Sequence, residues 1–581
     1  MNAIRTPWAE KVSKVCPLSE YPRPQMERKS WQCLNGMYSY AVTDINADTM
    51  GEAQGEILVP FAIESELSGV ERAVSDTQAL WYSRNFTVEE DYTGKRVILH
   101  FGAVDWKCEV WVNGSSAGGH TGGYCPFSFD ITDYLNGGEN ELKVKVIDPT
   151  DKADQPRGKQ ISKPVGFWYT STTGIWQTVW LEVVPENHIK KLRLTPDIDC
   201  AVLDICVEAA GEATVRATAY YGEAQVSYVE FTGRGKLKIP NQKLWSPEKP
   251  FLYGLKIELI HGGETVDEVK SYFGMRKYSM KKDSKGYVRL CLNNEPYFQK
   301  GLLDQGYWPD GGMTAPTDEA LIYDVQKMHD LGYNMLRKHI KVEPARWYYH
   351  CDRIGILVWQ DMPNGCNINQ LVVGVLPNIT IRTLPDKYEK LYLRTDKAAQ
   401  QLFRTELDEM INTLYNCVSI CTWVPFNEAW GQFDAVNVAK HVKELDPTRF
   451  VDHASGWHDQ GGGDFKSIHR YIVPLHPFKT DHRAFVVSEY GGYSNVIEGH
   501  VWNIKKCFGY LMFRSKKTLT NAYRRLHTSQ VIPLIKHGLC ALVYTQVSDV
   551  ENEVNGILTY DRKLVKLNED MLKDINSRLT Y

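Results

Sequence analysis

From Arg276 onward the chain alternates short apolar runs with longer amphipathic stretches, and nearly every run ends on a residue able to do chemistry. The runs are YFQKGLL, YNMLRKH, ILVWQDM, VSICTWVPFNE, RFVDHAS, SIHRYIV, AFVVSEY and ALVYTQV. Near-continuous apolar runs of this length suit parallel strands buried on both faces. Stretches such as DEALIYDVQKMHDLG, RWYYHCDRIG and TDKAAQQLFRTELDEMINTLY supply the crossover helices between the early strands. The gaps after the fifth and sixth runs are too short for full helices. The pattern predicts an irregular (β/α)8 TIM barrel over 276–581.

In such a barrel the C-terminal strand ends share one rim, where the fold keeps its chemistry. Here that rim would collect Asp304, Arg337, His339, Asp361, Glu428, His453, His469, Tyr471, Glu489 and Gln546.

The residues before it read differently. Runs such as LWYSRNFTV, RVILHFGAV, CEVWVNG, ELKVKVI and QTVWLEVV, broken by Gly, Asn and Asp turns, predict an all-β sandwich over 1–184. LDICVEAA, ATVRATAYY and FLYGLKIELI continue the pattern over 185–275, the length of one immunoglobulin-like β-sandwich.

Composition excludes several partners. The net charge is −4 with both signs interspersed, so no basic stripe awaits nucleic acid and no polybasic run awaits an anionic membrane. No run of about 18 apolar residues occurs. MNAIRTPWAEKVSK has no apolar signal core, so the expected location is cytoplasmic, or periplasmic or secreted if a signal was removed. The 13 cysteines form no close pair and no zinc spacing, and read as small hydrophobes. The basic cluster FRSKK reads as a solvated helix end, and the aromatic share of 12% is mostly core, with some rings available to stack on sugars.

Glu428 and Glu489 each terminate an apolar strand, at the edge of a low-dielectric core. Two carboxyls facing each other across such a rim can be driven apart in pKa, one kept protonated and the other ionised. Cleaving an acetal needs that division, because the leaving oxygen is protonated while positive charge at the anomeric carbon is met from the opposite side. The competing reading is a pair of structural salt bridges to Arg337 and Lys338.

LNGMYSY, WVNGSSAGGHTGGYCPFSFDIT, TTGIWQTVWLE, FGMRKY, YNMLRKH, FNEAW and VSEYGG together resemble the glycoside hydrolase family that contains β-galactosidases and β-glucuronidases, over nearly the whole chain. The resemblance implies the order β jelly-roll sandwich (1–184), immunoglobulin-like sandwich, TIM barrel, with double displacement, retention of configuration and no metal or other cofactor. Glu428 is then the acid/base, Glu489 the nucleophile, Asn427 the donor to the sugar 2-hydroxyl, and Tyr471 the hydroxyl that orients the nucleophile. Arg337 and His339 match the family's Arg-x-Ser-His stretch only in part, since RKHI brings the histidine one position early. Asn555 in VNG resembles a late Asn-Gly turn near the site. Further candidates for substrate contact are Trp308 as a stacking platform, Asp304 and Asp361 as acceptors for sugar hydroxyls, His469 on the sixth strand, and Tyr544 with Gln546 on the last.

Departures bear on the sugar. Glucuronide-specific members carry Asn-x-Lys-Gly after the last strand, whereas this chain has EVNG, which disfavours a glucuronide. RTELDEMINTLYN lacks the histidine that magnesium-dependent galactosidases place before the acid/base. EYGG likewise lacks a histidine that some galactosidases carry after the nucleophile. Arg157 and Lys159 in QPRGKQ read as a solvated loop, the alternative being contact with an anionic or sulfated sugar. Residues 363–393 read as a lid. The expected activity is exo-acting hydrolysis of a terminal β-linked sugar of β-galactoside type. A β-glucoside, β-galacturonide, β-glucuronide or α-arabinoside, transglycosylation, and a non-catalytic carbohydrate-binding protein are the alternatives. The expected partner is a carbohydrate; family members are often oligomers, but no interface is legible in the sequence.

Overall fold

The computed structural model describes residues 4–379, 383–477 and 481–581. The chain begins as a sandwich of two antiparallel sheets. Six strands run in the order Gly55–Val59, Gly36–Asp44, Gln78–Phe86, Asn140–Ile147, Lys107–Val112, Ser115–Thr121. Four more run Trp31–Cys33, Val179–Pro185, Lys95–Phe101, Phe127–Asp130. Along Asn140–Ile147 every second residue is buried, as a strand with one wet face requires. The inward residues, among them Tyr38, Leu80, Val110 and Val144 against Val97, Leu99, Phe101 and Leu181, form one core, each contributing roughly 1.5–3 kcal/mol on burial.

A second sandwich follows, three strands (Ile189–Asp197, Val202–Ala209, Arg234–Lys238) facing four (Ala224–Phe231, Thr214–Tyr221, Tyr253–His261, Glu264–Phe273).

The barrel strands are β1 (Gln299–Asp304), β2 (Met335–Lys338), β3 (Leu357–Asp361), β4 (Ile420–Val424), β5 (Phe450–Val451), β6 (Phe465–Arg470), β7 (Ala484–Gly491) and β8 (Leu539–Thr545). They correspond to the eight apolar runs. The parallel sheet runs β5-β4-β3-β2-β1-β8-β7-β6 and is nearly closed. The open seam lies between β5 and β6, where β5 is two residues long and no helix separates the strands. The long crossover helices are α1 (Asp318–Asp330), α2 (Ala345–Ile354), α3 (Lys397–Leu414), α4 (Ala435–Leu445) and α5 (Lys516–Leu526). The Thr317 hydroxyl caps α1 and the Asp396 carboxylate caps α3.

The period of two decides which strand residues reach the barrel axis. Leu303, Met335, Leu357, Trp359, Cys421, Phe450, Phe465, Val486 and Val543 fill the interior. Their neighbours Leu302, Leu336, Val358, Trp423, Val487 and Leu542 pack outward in the cluster that holds the helices. A hairpin, Tyr278–Lys282 with Val288–Leu292, adds Tyr278, Leu290 and Leu292 to the interior cluster and closes one end. The other end carries the polar rim. α2 stops at Gly355 (φ 94°), where a Cβ would lie 2.3 Å from the Pro247 carbonyl oxygen of the neighbouring sandwich, so only glycine allows that approach. Among the described residues no helix is long and apolar enough to cross a membrane.

Candidate active site

β4 delivers the first carboxylate. After Val424 the chain leaves the sheet, pairs Asn427 with Ser455, and turns through two consecutive left-handed residues, Glu428 (φ 51°) and Ala429 (φ 60°). Non-glycine residues hold this conformation only where surroundings impose it. Here the Glu428 N–H donates to the Ser455 carbonyl at 2.9 Å, and Ala429 packs with Val372. β7 delivers the second carboxylate, Glu489, whose side chain is 5% exposed against 24% for Glu428. His469 of β6 lies between them, its Nδ1 2.9 Å from Glu428 Oε1 and 3.6 Å from Glu489 Oε2. The ligand-type atoms of these three residues all lie within 4.8 Å of one another.

Glu489 is met by two donors. Tyr471 donates its hydroxyl to Oε2 and Arg337 Nη1 lies 3.3 Å from Oε1; His339 Nδ1, 4.0 Å away, is turned to Asp361. Arg337, fully buried, spans the barrel mouth: Nε donates to Asp361, Nη1 to the Ser488 carbonyl and Nη2 to Asn427 Oδ1, at 2.9, 3.0 and 2.9 Å. Because Asn427 Oδ1 is taken, its amide N–H groups are the part left for a ligand. Asp361 is held between Arg337 and His339 Nδ1 at 2.9 Å each, which makes it the group that orients both side chains rather than a free acceptor.

Burial raises the Glu428 carboxyl above its ordinary range, opposed by the charges of Lys159 and Arg337. Burial also raises Glu489, opposed by His469, Arg337 and the Tyr471 hydroxyl. His469 is pulled down to about 4 by burial and is therefore neutral near pH 7. With Nε2 facing the Ser455 hydroxyl at 3.2 Å, its Nδ1–H is placed to donate to Glu428.

An aromatic wall encloses the pair. Trp430, Trp168, Phe167, Phe508, Tyr510 and Tyr471 form a continuous series with successive ring centroids 5.1, 5.4, 5.7, 5.6 and 3.9 Å apart. Its middle, Phe167 and Trp168, comes from the first sandwich. Gly492 (φ 62°) lies beneath the Tyr471–Tyr510 stack, where a Cβ would meet Tyr510 at 2.4 Å.

Several expected contacts are corrected. Trp308 is 2% exposed, with Trp8 edge-on to its ring and the Arg562 guanidinium 4.1 Å over its face, so it offers no open platform. Asp304 points outward from β1 and receives Lys338 Nζ at 2.8 Å, part of a buried network with Glu343 and Lys341. Tyr544 also points outward, packed on Tyr490 and Tyr523 of the helix layer; its neighbour Thr545 turns inward and meets the Tyr471 hydroxyl at 3.1 Å. Gln546 and Asn555 are buried and bonded to each other at 2.7 Å, shaping the loop after β8.

QPRGKQ is not a solvated loop. Arg157 is buried, donating to the Cys366 and Gln160 carbonyls at 3.1 Å and lying 5.5 Å from the Trp430 ring. Sequence reading missed Thr545, Ser455, Phe167, Trp168, Tyr510 and Trp457, whose ring lies edge-on to His469 at 5.3 Å; GFWYT and CFGY were the available aromatic signals, without any indication of what they face. In the 363–393 segment, Asn364 accepts from the Arg157 and Gly158 amides at 2.9 Å, and Trp430 donates to the Cys366 carbonyl at 3.0 Å. Residues 380–382 of that segment lie outside the described residues. Glu428, His469 and Glu489 form the one group among the described residues spaced to chelate a cation, and an ion there would occupy the reacting position.

A parallel barrel carrying two closely spaced carboxyls at its strand ends is the arrangement that retaining cleavage of O-glycosyl bonds uses. Three family models match the chain: the sugar binding domain of glycosyl hydrolases family 2 over residues 61–185, a second family 2 domain over 187–276, and the family 2 TIM barrel domain over 289–474. A Formosa agariphila protein with a provisional β-glucuronidase name is 27% identical over 72% of this chain and 51% of its own length. A β-galactosidase of Thermoanaerobacter pseudethanolicus is 29% identical over 49% of this chain and 39% of its own length. The chain thus spans about half or less of these relatives. The solved β-D-glucuronidase of Dictyoglomus thermophilum superposes with a TM-score of 0.74 at 18% identity, covering 96% of this chain and 98% of its own. The chain belongs to glycoside hydrolase family 2.

Proposed function

We propose that the protein is a retaining, exo-acting β-glycosidase working by double displacement, with Glu489 as nucleophile and Glu428 as acid/base. The observation that carries this reading is the spacing of the two carboxyls, within 4.8 Å around His469. That separation suits direct attack and leaves no room for an intervening water, which inverting enzymes need at roughly 6.5–9.5 Å. Glu489 attacks the anomeric carbon, oriented by the Tyr471 hydroxyl and Arg337. Glu428, raised by burial and more open to the mouth, protonates the departing oxygen. It then takes a proton from the water that releases the glycosyl-enzyme. Asn427 presents its amide N–H groups to the sugar 2-hydroxyl. The N-terminal sandwich closes one side of the rim with Phe167 and Trp168, which favours a terminal sugar over a through-running chain.

A panel of nitrophenyl β-galactoside, β-glucoside, β-glucuronide, β-galacturonide, β-mannoside and α-arabinoside tests the activity, with NMR of the first-formed anomer testing retention. Loss of turnover in Glu489→Gln with an unchanged fold supports the assignment, and full activity in that variant overturns it. The galactoside-type glycone rests on EVNG, where Glu553 and Asn555 occupy the place of the glucuronide-binding motif and bond to one another at 2.8 Å. A second reading, an anionic sugar, is favoured by the position of Lys159.

A further inference from the structure

Lys159 reaches the mouth of the barrel on a loop pressed against the strand ends. The Arg157 and Gly158 amides donate to Asn364, Pro156 pairs with Gly365, and a Cβ on Gly158 (φ 67°) would lie 2.7 Å from the carbonyl oxygen of Ile340, the residue after His339. Its two basic residues have separate fates. Arg157 is a strut, its guanidinium spent on carbonyls and on Trp430. Lys159 is half-buried, yet its ammonium makes no hydrogen bond or ion pair among the described residues; it lies 4.8 Å from the Phe167 ring centroid and 5.6 Å from that of Trp168. Aromatic faces offset only part of the cost of withdrawing an ammonium from water.

The charge is felt at the site, lowering the proton affinity of Glu428, His339 and His469. Other basic groups nearby are committed: Lys338 and Lys341 to Glu343, Lys566 to Asp549. After β8, where the resemblance would put Asn-x-Lys-Gly, Asn555 stands at the lysine position and Glu553 at the asparagine position, the Glu553 carboxylate held by the Tyr169 hydroxyl and the Asn555 amide. A negatively charged sugar would be repelled by Glu553 and attracted toward the Lys159 ammonium, beside Phe167 and Trp168.

We propose that Lys159, supplied by the N-terminal sandwich, is the specificity-determining cation of this site and binds a carboxylate or sulfate ester on the substrate sugar. This rests on the reading of Glu428 and Glu489 as the catalytic pair. A uronide carboxylate and a sugar sulfate share the chemistry a lysine recognises, a compact anion accepting from an ammonium.

The test compares kcat/KM of the full-length protein on nitrophenyl β-glucuronide, β-galacturonide and 6-sulfo-β-galactoside with that on neutral β-glucoside and β-galactoside, for wild type, Lys159→Gln and Lys159→Arg. In the wild type at least one anionic substrate is expected to exceed its neutral counterpart. In Lys159→Gln that ratio falls by about tenfold or more, mainly through KM, as loss of a charge-assisted hydrogen bond would give, and Lys159→Arg recovers part of it. The uronides and the sulfated galactoside distinguish the two sources of anion. The basic limb of the pH profile moves to higher pH in Lys159→Gln, since removing a cation near Glu428 raises its pKa, and Lys159→Arg returns it; an unmoved limb would place the ammonium away from the site and overturn the proposal. A wild-type preference for every neutral substrate, or a ratio unchanged by Lys159→Gln, overturns the proposal while hydrolysis itself still supports the catalytic pair. Full activity of Glu489→Gln would instead overturn the reading beneath it.

Discussion

Glu428 and Glu489 are the same residue type at the ends of strands of one barrel, and their neighbours separate them. Glu489 is met by Tyr471 and Arg337 and is nearly closed off, whereas Glu428 has one histidine contact and an open side. Glu428→Ala is therefore expected to lose activity chiefly on glycosides with poor leaving groups, with partial rescue by azide; an unaffected rate on unactivated glycosides would count against the acid role. Tyr471→Phe removes one preorganised donor to Glu489, the proposed nucleophile, and kcat should fall roughly 10²-fold, the order lost with one such donor elsewhere. Zinc accepts carboxylate and imidazole ligands, and Glu428, His469 and Glu489 are spaced to provide them. Added Zn²⁺ should inhibit competitively and EDTA should reverse it; noncompetitive inhibition would place the ion elsewhere.

Among the elements, the eight apolar runs all became barrel strands because a strand buried on both faces leaves an uninterrupted apolar record. The ends of the runs were legible as a rim for the same reason. Inward and outward residues at those ends were not. The direction of a side chain depends on pleat register, and one position of offset moves it from the substrate side to the helix side. Asp304 and Tyr544 fell on the outer side, while Arg337, Asp361 and Thr545 fell on the inner one. Gly492 shows how tightly an inner position can be held: Gly492→Ala combines a left-handed φ with a contact against Tyr510. It should displace the Tyr471–Tyr510 stack and lower kcat more than tenfold while the barrel still folds, measured by kinetics beside a melting curve.

At the scale of the molecule, the site is shared between domains. Tyr169 and Thr170 of the first sandwich bond to Glu553 and Glu551 of the loop after β8. Glu551 is 4% exposed, and burial raises its carboxyl to about 7 against the Thr170 donors that lower it. A carboxyl whose folded pKa lies above its unfolded value stabilises the fold fully at low pH, and that contribution is lost as pH rises from about 4.5 through 7. Glu551→Gln keeps the acceptor and removes the ionisation. Its melting temperature should gain on the wild type between pH 5 and pH 8, checked by thermal denaturation across that range; a constant difference would show that Glu551 does not titrate there.

The sequence by itself determined the three-domain order, the eight strands and the two carboxylates, since hydrophobic period and strand-end chemistry are local properties of the chain. Tertiary structure alone decided which polar ends face inward, that Trp308 is covered by Arg562, and that QPRGKQ is folded against the barrel mouth. Those outcomes depend on contacts between residues far apart in sequence, such as Arg157 with Cys366 and Phe167 with Phe508. No local pattern records them, and a basic loop resting on aromatic rings carries the same letters as one in water.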